Sequence, residues 1–405
     1  MRRLAAFLIV LAIGLGACGT HGGSGTHGSA GSGSFAATGF ESSTVALSTR
    51  QQPLVLGVDE KVLVFGGYAA GSSASRSLGD GALYDRSTST WSTIPTAPFS
   101  QPLYQAMGVW TGQEAIILGT PCGRAWSDLI TPECGKTAVE AAAFSPTRNR
   151  WRRLAQFKGP GQAESFDDAT VLQGNGLGWT GSQATFIFGN GPISREMLVD
   201  PAAGGTTRFM ASPDQTDATC MTGGKLVAVR TGEVLAGGLR VGPNPVANAE
   251  PLRTYLLDEK SLTWSAPIET KKPDSVGAQS ERVSCNGGQL VYLPYRNSTG
   301  FSGALWWNAA QETWDPFPNL KPVQYPSILT VGESGGTKVA WLGSSLYVLP
   351  PGASAWSLAP APLDAMVTLK ENTSALVVDQ TNDPRHGGSS KVGFLDPTRY
   401  LATHR

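Results

Sequence analysis

The sequence predicts an all-β fold, a β-propeller of seven four-stranded blades, from three observations. Few stretches show the periodicity of an amphipathic helix, and most of the chain consists of short apolar runs bounded by Gly, Pro, Asn and Asp. In five places an apolar residue is followed seven positions later by tryptophan. The units that carry this pair recur at intervals of roughly 40 to 60 residues, which is the length of one propeller blade.

The clearest unit, blade 1, divides into four predicted strands. "LVLGV" (54–58) is the inner strand, "VLVFGG" (62–67) the second, "GALYD" (81–85) the third and "TWSTI" (90–94) the outer strand. Each is bounded by turn residues, as expected for antiparallel strands joined in sequence. Blade 1 therefore sets the pattern for the rest of the chain.

The other units repeat the closing tryptophan or a weaker substitute for it. Clear closing turns are "FSPTRNRW" from Phe144, "LDEKSLTW" from Leu257, "WNAAQETW" from Trp307 and "LPPGASAW" from Leu349. Two weaker units place Phe209 and Tyr400 near the same position. These units predict seven blades, and six or eight stay open. A β-sandwich or two smaller β domains would not repeat a tryptophan at one phase.

The last unit stops soon after Tyr400 and is short of one strand. We expect the segment before blade 1, "FAATGF" or "STVALS", to supply that strand. Closing the ring in this way removes a free sheet edge, which β proteins must otherwise protect.

Blade 1 resembles a kelch repeat. The resemblance rests on the diglycine Gly66–Gly67 after an apolar strand, the Tyr84–Asp85 pair after a long loop, and Trp91 six residues beyond Asp85. "VLAGG" with "YLLDEKSLTW" repeats the set in blade 4, whereas other units lack one glycine or the Asp. The glycines allow a positive φ or a close approach of sheets, and the aromatic rings fill space between blades. The resemblance implies a kelch-like propeller over residues 35–405.

The N-terminus has the parts of an export signal. Arg2 and Arg3 precede an apolar stretch, and Leu15-Gly16-Ala17-Cys18 resembles the lipobox of bacterial lipoproteins. The resemblance implies that residues 1–18 are a signal peptide and that Cys18 is multiply acylated, anchoring the protein to the cell membrane, outside the cytoplasm. Residues 19–34, rich in Gly and Ser, would be a flexible tether. An ordinary secretory signal and an uncleaved anchor are the alternatives.

The remaining cysteines, Cys122, Cys134, Cys220 and Cys285, predict disulfides, because their number is even and the chain carries an export signal. Three pairings are possible. Cys122 with Cys134 closes a short loop, which leaves Cys220 with Cys285. Aligned on the diglycines that follow them, Cys220 and Cys285 are one residue out of phase. That offset would point them to opposite faces of their sheets unless a bulge intervenes.

Charge composition limits the partners. The 31 basic and 31 acidic residues balance, which argues against nucleic acid as a binding partner.

A propeller carries its variable loops at one end, where ligands commonly bind. Candidate ligand-binding residues in these loops are Arg76, Arg124, Trp126, Asp128, Asp168, Arg240, Arg385 and His386. Arginines beside a tryptophan could clamp a carboxylated sugar or an acidic peptide. The alternative is that these side chains are ordinary solvated loop residues.

The ingredients of known propeller enzymes are incomplete. Copper oxidases of this fold need a histidine pair with tyrosine and a crosslinked cysteine, but residues 35–405 offer only His386 and His404. The turns lack the glycine of sialidase Asp-boxes, and "GNGLG" (174–178) is predicted to lie in a β turn, opening no helix. We therefore expect a monomer without metal or cofactor that binds a cell-envelope protein, peptide or glycan non-catalytically. A carbohydrate-active enzyme, a sialate mutarotase or glycoside hydrolase, is the alternative.

Overall fold

The computed structural model describes a defined part of the chain. The described residues are 37–69, 76–122, 139–156, 174–188, 195–211, 213, 216, 218–231, 250–273, 280–286, 289–295, 303–318, 329–342, 345–363, 368–370, 375–379 and 391–404. All of them belong to one unit, Gly31–Arg405. The predicted signal peptide and tether lie outside the described residues.

The described residues form 31 strands and one helix, α1 (Pro397–Thr403). In chain order the strands are β1 (Phe40–Thr44), β2 (Arg50–Gln51), β3 (Leu54–Val58), β4 (Lys61–Phe65), β5 (Tyr68–Ala69), β6 (Gly81–Asp85), β7 (Thr90–Thr93), β8 (Leu103–Trp110), β9 (Ala115–Pro121), β10 (Glu140–Ser145), β11 (Arg150–Arg153), β12 (Gly174–Trp179), β13 (Ala184–Phe188), β14 (Arg195–Asp200), β15 (Thr206–Ala211), β16 (Ala218–Thr222), β17 (Lys225–Arg230), β18 (Leu252–Asp258), β19 (Thr263–Trp264), β20 (Ile268–Thr270), β21 (Ser280–Asn286), β22 (Gln289–Tyr295), β23 (Leu305–Asn308), β24 (Thr313–Pro316), β25 (Leu329–Ser334), β26 (Thr337–Leu342), β27 (Ser345–Leu349), β28 (Ser357–Pro360), β29 (Thr368–Lys370), β30 (Leu376–Asp379) and β31 (Lys391–Leu395).

Within the described part of the chain these strands make seven antiparallel sheets, so the predicted seven-bladed propeller is confirmed. Blade 1 is β3-β4-β6-β7, and blades 2 to 6 follow in chain order. The outer strand of blade 4 is divided into β19 and β20, which both pair with β18. An eighth, two-stranded sheet joins β2 to β5 beside blade 1.

The ring closes through the N-terminal segment. β1 pairs antiparallel with β31 and becomes the outer strand of blade 7, in the order β1-β31-β30-β29. The prediction that a segment before blade 1 supplies this strand is confirmed, but β1 lies between the two stretches named, sharing Phe40 with "FAATGF" and Ser43–Thr44 with "STVALS". Tyr400 does not take the tryptophan position: it lies on α1, buried, with its ring 6.3 Å from that of Phe40. The reason is that the outer position of blade 7 is already occupied by β1.

The core consists of apolar layers between neighbouring blades. The described side chains form one such layer at each of the seven blade junctions. The repeated tryptophans all enter the layer shared with the preceding blade; they are Trp91, Trp151, Trp264, Trp314 and Trp356. Side chains at one phase of a strand share one face, so a single sequence phase places every tryptophan at the same kind of interface.

The turn before the tryptophan has a repeated conformation. Two positions before four of the tryptophans, a residue other than glycine has a φ between 47° and 56°: Ser89, Asn149, Leu262 and Glu312. The carboxylate of Asp258 accepts hydrogen bonds from the amides of Lys260 and Ser261, and Asp85 accepts one from Ser87. These side-chain bonds stabilise the turn, which explains the acidic residue in the repeat.

The predicted disulfide between Cys220 and Cys285 is confirmed, with Cα atoms 5.5 Å apart. It joins the inner strand of blade 4 to that of blade 5. Equivalent faces of successive blades point the same way around the ring. Two residues therefore meet across a junction only when they occupy opposite faces of their sheets. The one-residue offset between the cysteines thus favours the pairing and needs no bulge.

The prediction of a β turn at "GNGLG" is wrong, because residues 174–178 belong to the inner strand β12. A Cβ at Gly176 would lie 2.1 Å from the carbonyl oxygen of Gly108 in β8, the inner strand of the preceding blade. Glycine is required here by close packing of two backbones, not by a turn. Among the described residues, no helix is both long and apolar enough to cross a membrane.

Candidate functional site

The propeller has two ends, which the strand order distinguishes. We call the end that carries the connections from second to third strands, and from each outer strand to the next blade, the loop face. The opposite end carries the tight turns between first and second strands and between third and fourth strands, and we call it the hairpin face. The predicted ligand-binding residues all fall in connections of the loop face.

Over blade 1, the connections of the loop face are tied down by the small β2–β5 sheet. Arg50 pairs with Ala69, and Gln51 with Tyr68. The following segment folds back on this sheet, since Tyr68 bridges to Ser77 and the amide of Ala69 donates to the carbonyl of Arg76. Both ends of the segment that separates Ala69 from Arg76 are therefore fixed by backbone hydrogen bonds.

Glycine conformation makes this arrangement possible. Gly66 and Gly67, the diglycine of the repeat, have φ values of 66° and 89°. A Cβ at Gly67 would lie 2.7 Å from the carbonyl oxygen of Gln51. Both physical roles expected of the diglycine, a positive φ and a close approach, are thus present in blade 1.

Arg50, the first residue of β2, has a fully buried side chain. Its guanidinium donates to the carbonyl oxygens of Ser48 and Gly66, to the hydroxyl of Ser48 and to both carboxylate oxygens of Asp80. All five N–H donors of an arginine are engaged in this way. The hydrogen bond from Arg50 lowers the pKa of the Asp80 carboxyl. Arg50 therefore holds the base of the blade 1 loop and has no donor left for a ligand.

Tyr68, Tyr104 and Cys122 form a buried cluster between the loop ends of blades 1 and 2. The two tyrosine rings meet edge to face with centroids 5.7 Å apart. Burial raises the pKa of the Tyr104 phenol, and a hydrogen bond with Tyr68 partly offsets that rise. The amide of Cys122 donates to the carbonyl of Pro102. The cluster therefore packs around the point where the chain leaves β9, the second strand of blade 2.

A buried carboxylate fixes the neighbouring connections. Glu140, at the start of the third strand of blade 2, is 5% exposed. It accepts hydrogen bonds from the amide of Ser100, 2.7 Å away, and from the side chain of Gln156. These partners lie in the connections that enter and leave blade 2. Like Arg50, Glu140 serves to hold loop segments in place.

The structure brings two of the predicted residues toward the same sector. Arg76 is exposed at the edge of the blade 1 loop, and Cys122 lies in the cluster on the neighbouring blade. The other predicted residues of the loop face lie outside the described residues: Arg124, Trp126, Asp128, Cys134, Asp168, Arg240, Arg385 and His386. Pairing of Cys122 with Cys134 stays a prediction.

Sequence reasoning did not identify Arg50, Tyr68, Tyr104 or Glu140. Arg50 and Glu140 carried no signal, since each looks like an ordinary charged residue next to a strand. Tyr68 follows the diglycine after β4 and Tyr104 is the second residue of β8, so both lie at the loop ends of strands in neighbouring blades. That common placement was a usable signal. Among the described residues, no group of three or more His, Cys, Asp or Glu side chains could hold a metal ion.

Neither a protein-family profile nor a curated protein sequence matches the chain. Among solved structures, "YCF48 bound to D1 peptide" is similar at 12% identity, over 88% of this chain and 94% of that one, with a TM-score of 0.48. "The beta-propeller domain of the Trilobed protease from Pyrococcus furiosus reveals an open velcro topology" is similar at 9% identity, over 88% and 95%, also with a TM-score of 0.48. We draw nothing about function from likeness at this level.

Proposed function

We propose that this chain is a lipid-anchored, kelch-like propeller outside the cytoplasm. Its loop face over blades 1 and 2 binds a protein, peptide or glycan without catalysing a reaction. One observation carries the binding proposal: the buried polar groups of this sector fix the bases of neighbouring loops. A rigid scaffold that presents variable loops is the usual design of a binding surface.

Two loops supply the contact residues in this proposal. Arg76 is exposed at the foot of the first loop, where backbone hydrogen bonds limit its motion. Arg124, Trp126 and Asp128 follow Cys122 in the second. Arginine can bind a carboxylate through two parallel hydrogen bonds, and tryptophan offers a flat apolar surface to a sugar or side chain. An acidic peptide or a carboxylated glycan fits this set.

The anchoring part of the proposal rests on the N-terminal sequence. The run from Arg2 to Cys18 has the order of a lipoprotein signal, and among the described residues the ring closes through β1, which begins at Phe40. The preceding segment is therefore available for a signal, a lipidated cysteine and a tether. Several acyl chains hold a protein to a bilayer firmly, whereas one holds it marginally.

A pull-down with matched variants tests the binding proposal. The soluble domain starting at Phe35 is immobilised and exposed to cell-envelope proteins, peptides and glycans. We expect Arg76→Ala and the double variant Arg124→Ala/Trp126→Ala to lose the captured ligand. Arg148→Ala, an exposed arginine on the hairpin face of blade 2, should keep it. Retention of the ligand by both loop-face variants would show that this sector is not the contact surface.

The same domain tests the enzymatic alternative. Incubation with sialic acid, followed by NMR of the anomeric protons, measures mutarotation directly. Incubation with envelope glycans, followed by analysis of released sugars, measures hydrolysis. We expect rates equal to those without protein. A rate increase that Arg76→Ala abolishes would replace the binding proposal by a carbohydrate-active enzyme at the same face.

A further inference from the structure

The way the ring closes fixes the end at which the N-terminal segment joins the propeller. β1 is the outer strand of blade 7, and Phe40 at its start pairs with Leu395 at the end of β31. β31 runs from the loop face to the hairpin face, because it is the third strand of its blade. Phe40 therefore lies at the hairpin face, and Thr44 lies at the loop face.

Contacts with α1 hold the residues just before β1 at the hairpin face. α1 follows β31 directly, in the place of a turn between third and fourth strands. The amide of Asp396 donates to the carbonyl of Gly39, and the hydroxyl of Thr403 donates to the carbonyl of Thr38. A Cβ at Gly39 would lie 2.4 Å from the amide nitrogen of Tyr400, so the backbones are in close contact. The chain therefore enters the propeller at the hairpin face, where Asp396 and α1 hold it.

We infer that the anchored protein presents its loop face away from the membrane and its hairpin face toward it. This inference rests on the proposed lipid anchor at Cys18. The five-residue strands separate the two faces by about 17 Å, since a strand rises about 3.3 Å per residue. The proposed tether, residues 19–34, would have an r.m.s. reach of about 20 to 24 Å as a Gly/Ser-rich coil.

These two lengths favour one orientation over the other. To bring the loop face to the lipid, the tether would have to run from the hairpin face along the whole edge of blade 7. That path would use most of its r.m.s. reach before the chain met the bilayer. With the hairpin face toward the membrane, no such path is needed, and the tether keeps more of its conformational freedom.

The orientation restricts the partner of the loop face. A ligand that binds there approaches from the aqueous compartment, as a soluble protein, a peptide or an envelope glycan does. A lipid headgroup of the anchoring membrane would meet the hairpin face instead. The inference thus narrows the partner class of the proposed binding site to molecules that are not part of that bilayer.

Energy transfer to lipid tests the orientation in the full lipidated chain. A donor dye is attached through p-azidophenylalanine at Gln113, exposed on the hairpin face, or at Thr96, exposed on the loop face. Both positions lie in blades 1 and 2, so the two variants differ mainly in height along the strands. Each protein is reconstituted into phosphatidylglycerol and phosphatidylethanolamine vesicles that contain acceptor-labelled lipid. We expect transfer from Gln113 to exceed that from Thr96 about twofold or more, given the separation of about 17 Å.

Two outcomes overturn different parts of the inference. Equal transfer, or greater transfer from Thr96, in a chain that floats with the vesicles only when Cys18 is present, overturns the orientation and leaves the anchor. Flotation of Cys18→Ser together with the wild type, or of neither, overturns the anchor and the orientation that depends on it. Thermal unfolding of each labelled variant checks that the ring is intact.

Discussion

The indole nitrogen of Trp91 donates a hydrogen bond to the hydroxyl of Ser43, 2.9 Å away, across the seam where the ring closes. Trp91 belongs to the outer strand of blade 1, and Ser43 to the N-terminal strand that completes blade 7. Three further tryptophans donate to the blade before their own or to the connection that leaves it. The closing strand therefore receives the same contact that joins successive blades elsewhere in the ring.

Removal of the closing strand should open the ring. A chain that starts at Ala46 lacks β1 and with it the partner of β31, the buried Glu41 and the acceptor of Trp91. We expect its free energy of unfolding to fall by more than about 4 kcal/mol, because these buried contacts are all lost together. Urea unfolding followed by tryptophan fluorescence measures the loss. A chain that starts at Phe35 is the control and should match the full propeller in stability.

The buried acceptor of Trp314 should make its hydrogen bond more costly to lose than that of Trp151. Trp314 donates to Thr254, which is fully buried, whereas Trp151 donates to the carbonyl of exposed Pro95. Trp314→Phe should therefore cost about 1 kcal/mol more than Trp151→Phe, because water cannot replace the lost partner of Thr254. Chemical denaturation of both variants gives the difference. Equal losses would mean that ring packing alone, and not the hydrogen bond, sets the cost.

The Cys220–Cys285 bond closes a loop with a sequence separation of 65 residues. The chain-entropy model assigns such a crosslink about 4 kcal/mol. We expect Cys220→Ala/Cys285→Ala to lower the free energy of unfolding by about that amount in urea. Reductant should lower the stability of the intact protein by at least as much, since it would also break the predicted Cys122–Cys134 bond. An unchanged midpoint in the double variant would contradict a stabilising role for the bond.

Glu41 should make the protein less stable as the pH rises. Burial raises the pKa of its carboxyl, although the hydroxyl of Tyr84 donates to it at 3.2 Å and Arg86 lies nearby. The folded state therefore holds this proton more tightly than the unfolded state does. The stabilisation is complete below the unfolded pKa, near 4.5, and is lost as the pH rises through the folded pKa.

Glu41→Gln removes this titration, so its stability relative to the wild type should increase between pH 4 and pH 7. Unfolding in urea at both pH values measures the change. Tyr84→Phe is the matched variant: it removes the donor that favours the carboxylate and should strengthen the pH dependence. A constant difference between Glu41→Gln and wild type across the range would contradict the raised pKa.

Arg50 should be needed for the shape of the blade 1 loop base. Arg50→Lys keeps the charge but cannot reproduce the two parallel hydrogen bonds to Asp80 and the three others. We expect a loss of about 1 to 3 kcal/mol, since it leaves the buried carbonyl of Gly66 without its donor, and faster hydrogen exchange at the amides of Gly66 and Leu78. Asp80→Asn should cost far less, because the Asp80 side chain is 54% exposed. Similar losses in both variants would show that Asp80, not the carbonyl groups, determines the role of Arg50.

Local patterns were enough to predict most of the architecture. Alternation and turn residues indicated the strands of blade 1, and five closing tryptophans with two weaker units indicated seven blades. The pattern failed where one residue type serves two purposes. Glycines in "GNGLG" predicted a turn, but they permit the contact of Gly176 with the backbone of Gly108. Such a contact joins residues far apart in the chain, and short-range patterns do not report it.

The candidate site was less predictable than the fold. Exposed loop residues such as Arg76 can be found from their position between strands. The residues that hold the loops cannot, because Arg50 and Asp80 are 30 positions apart and become partners only when blade 1 has folded. The burial of Arg50 likewise depends on the pairing of β2 with β5.

The sequence by itself determined the strands, the repeated turn and the face on which each tryptophan lies, because these follow from short-range alternation and backbone preference. The tertiary structure alone decided the bounds of the closing strand, which face receives the N-terminal chain and which charges are buried. Those properties depend on contacts between residues far apart in the chain, such as Gly39 with Tyr400 and Arg50 with Asp80, and only the folded ring brings such residues together.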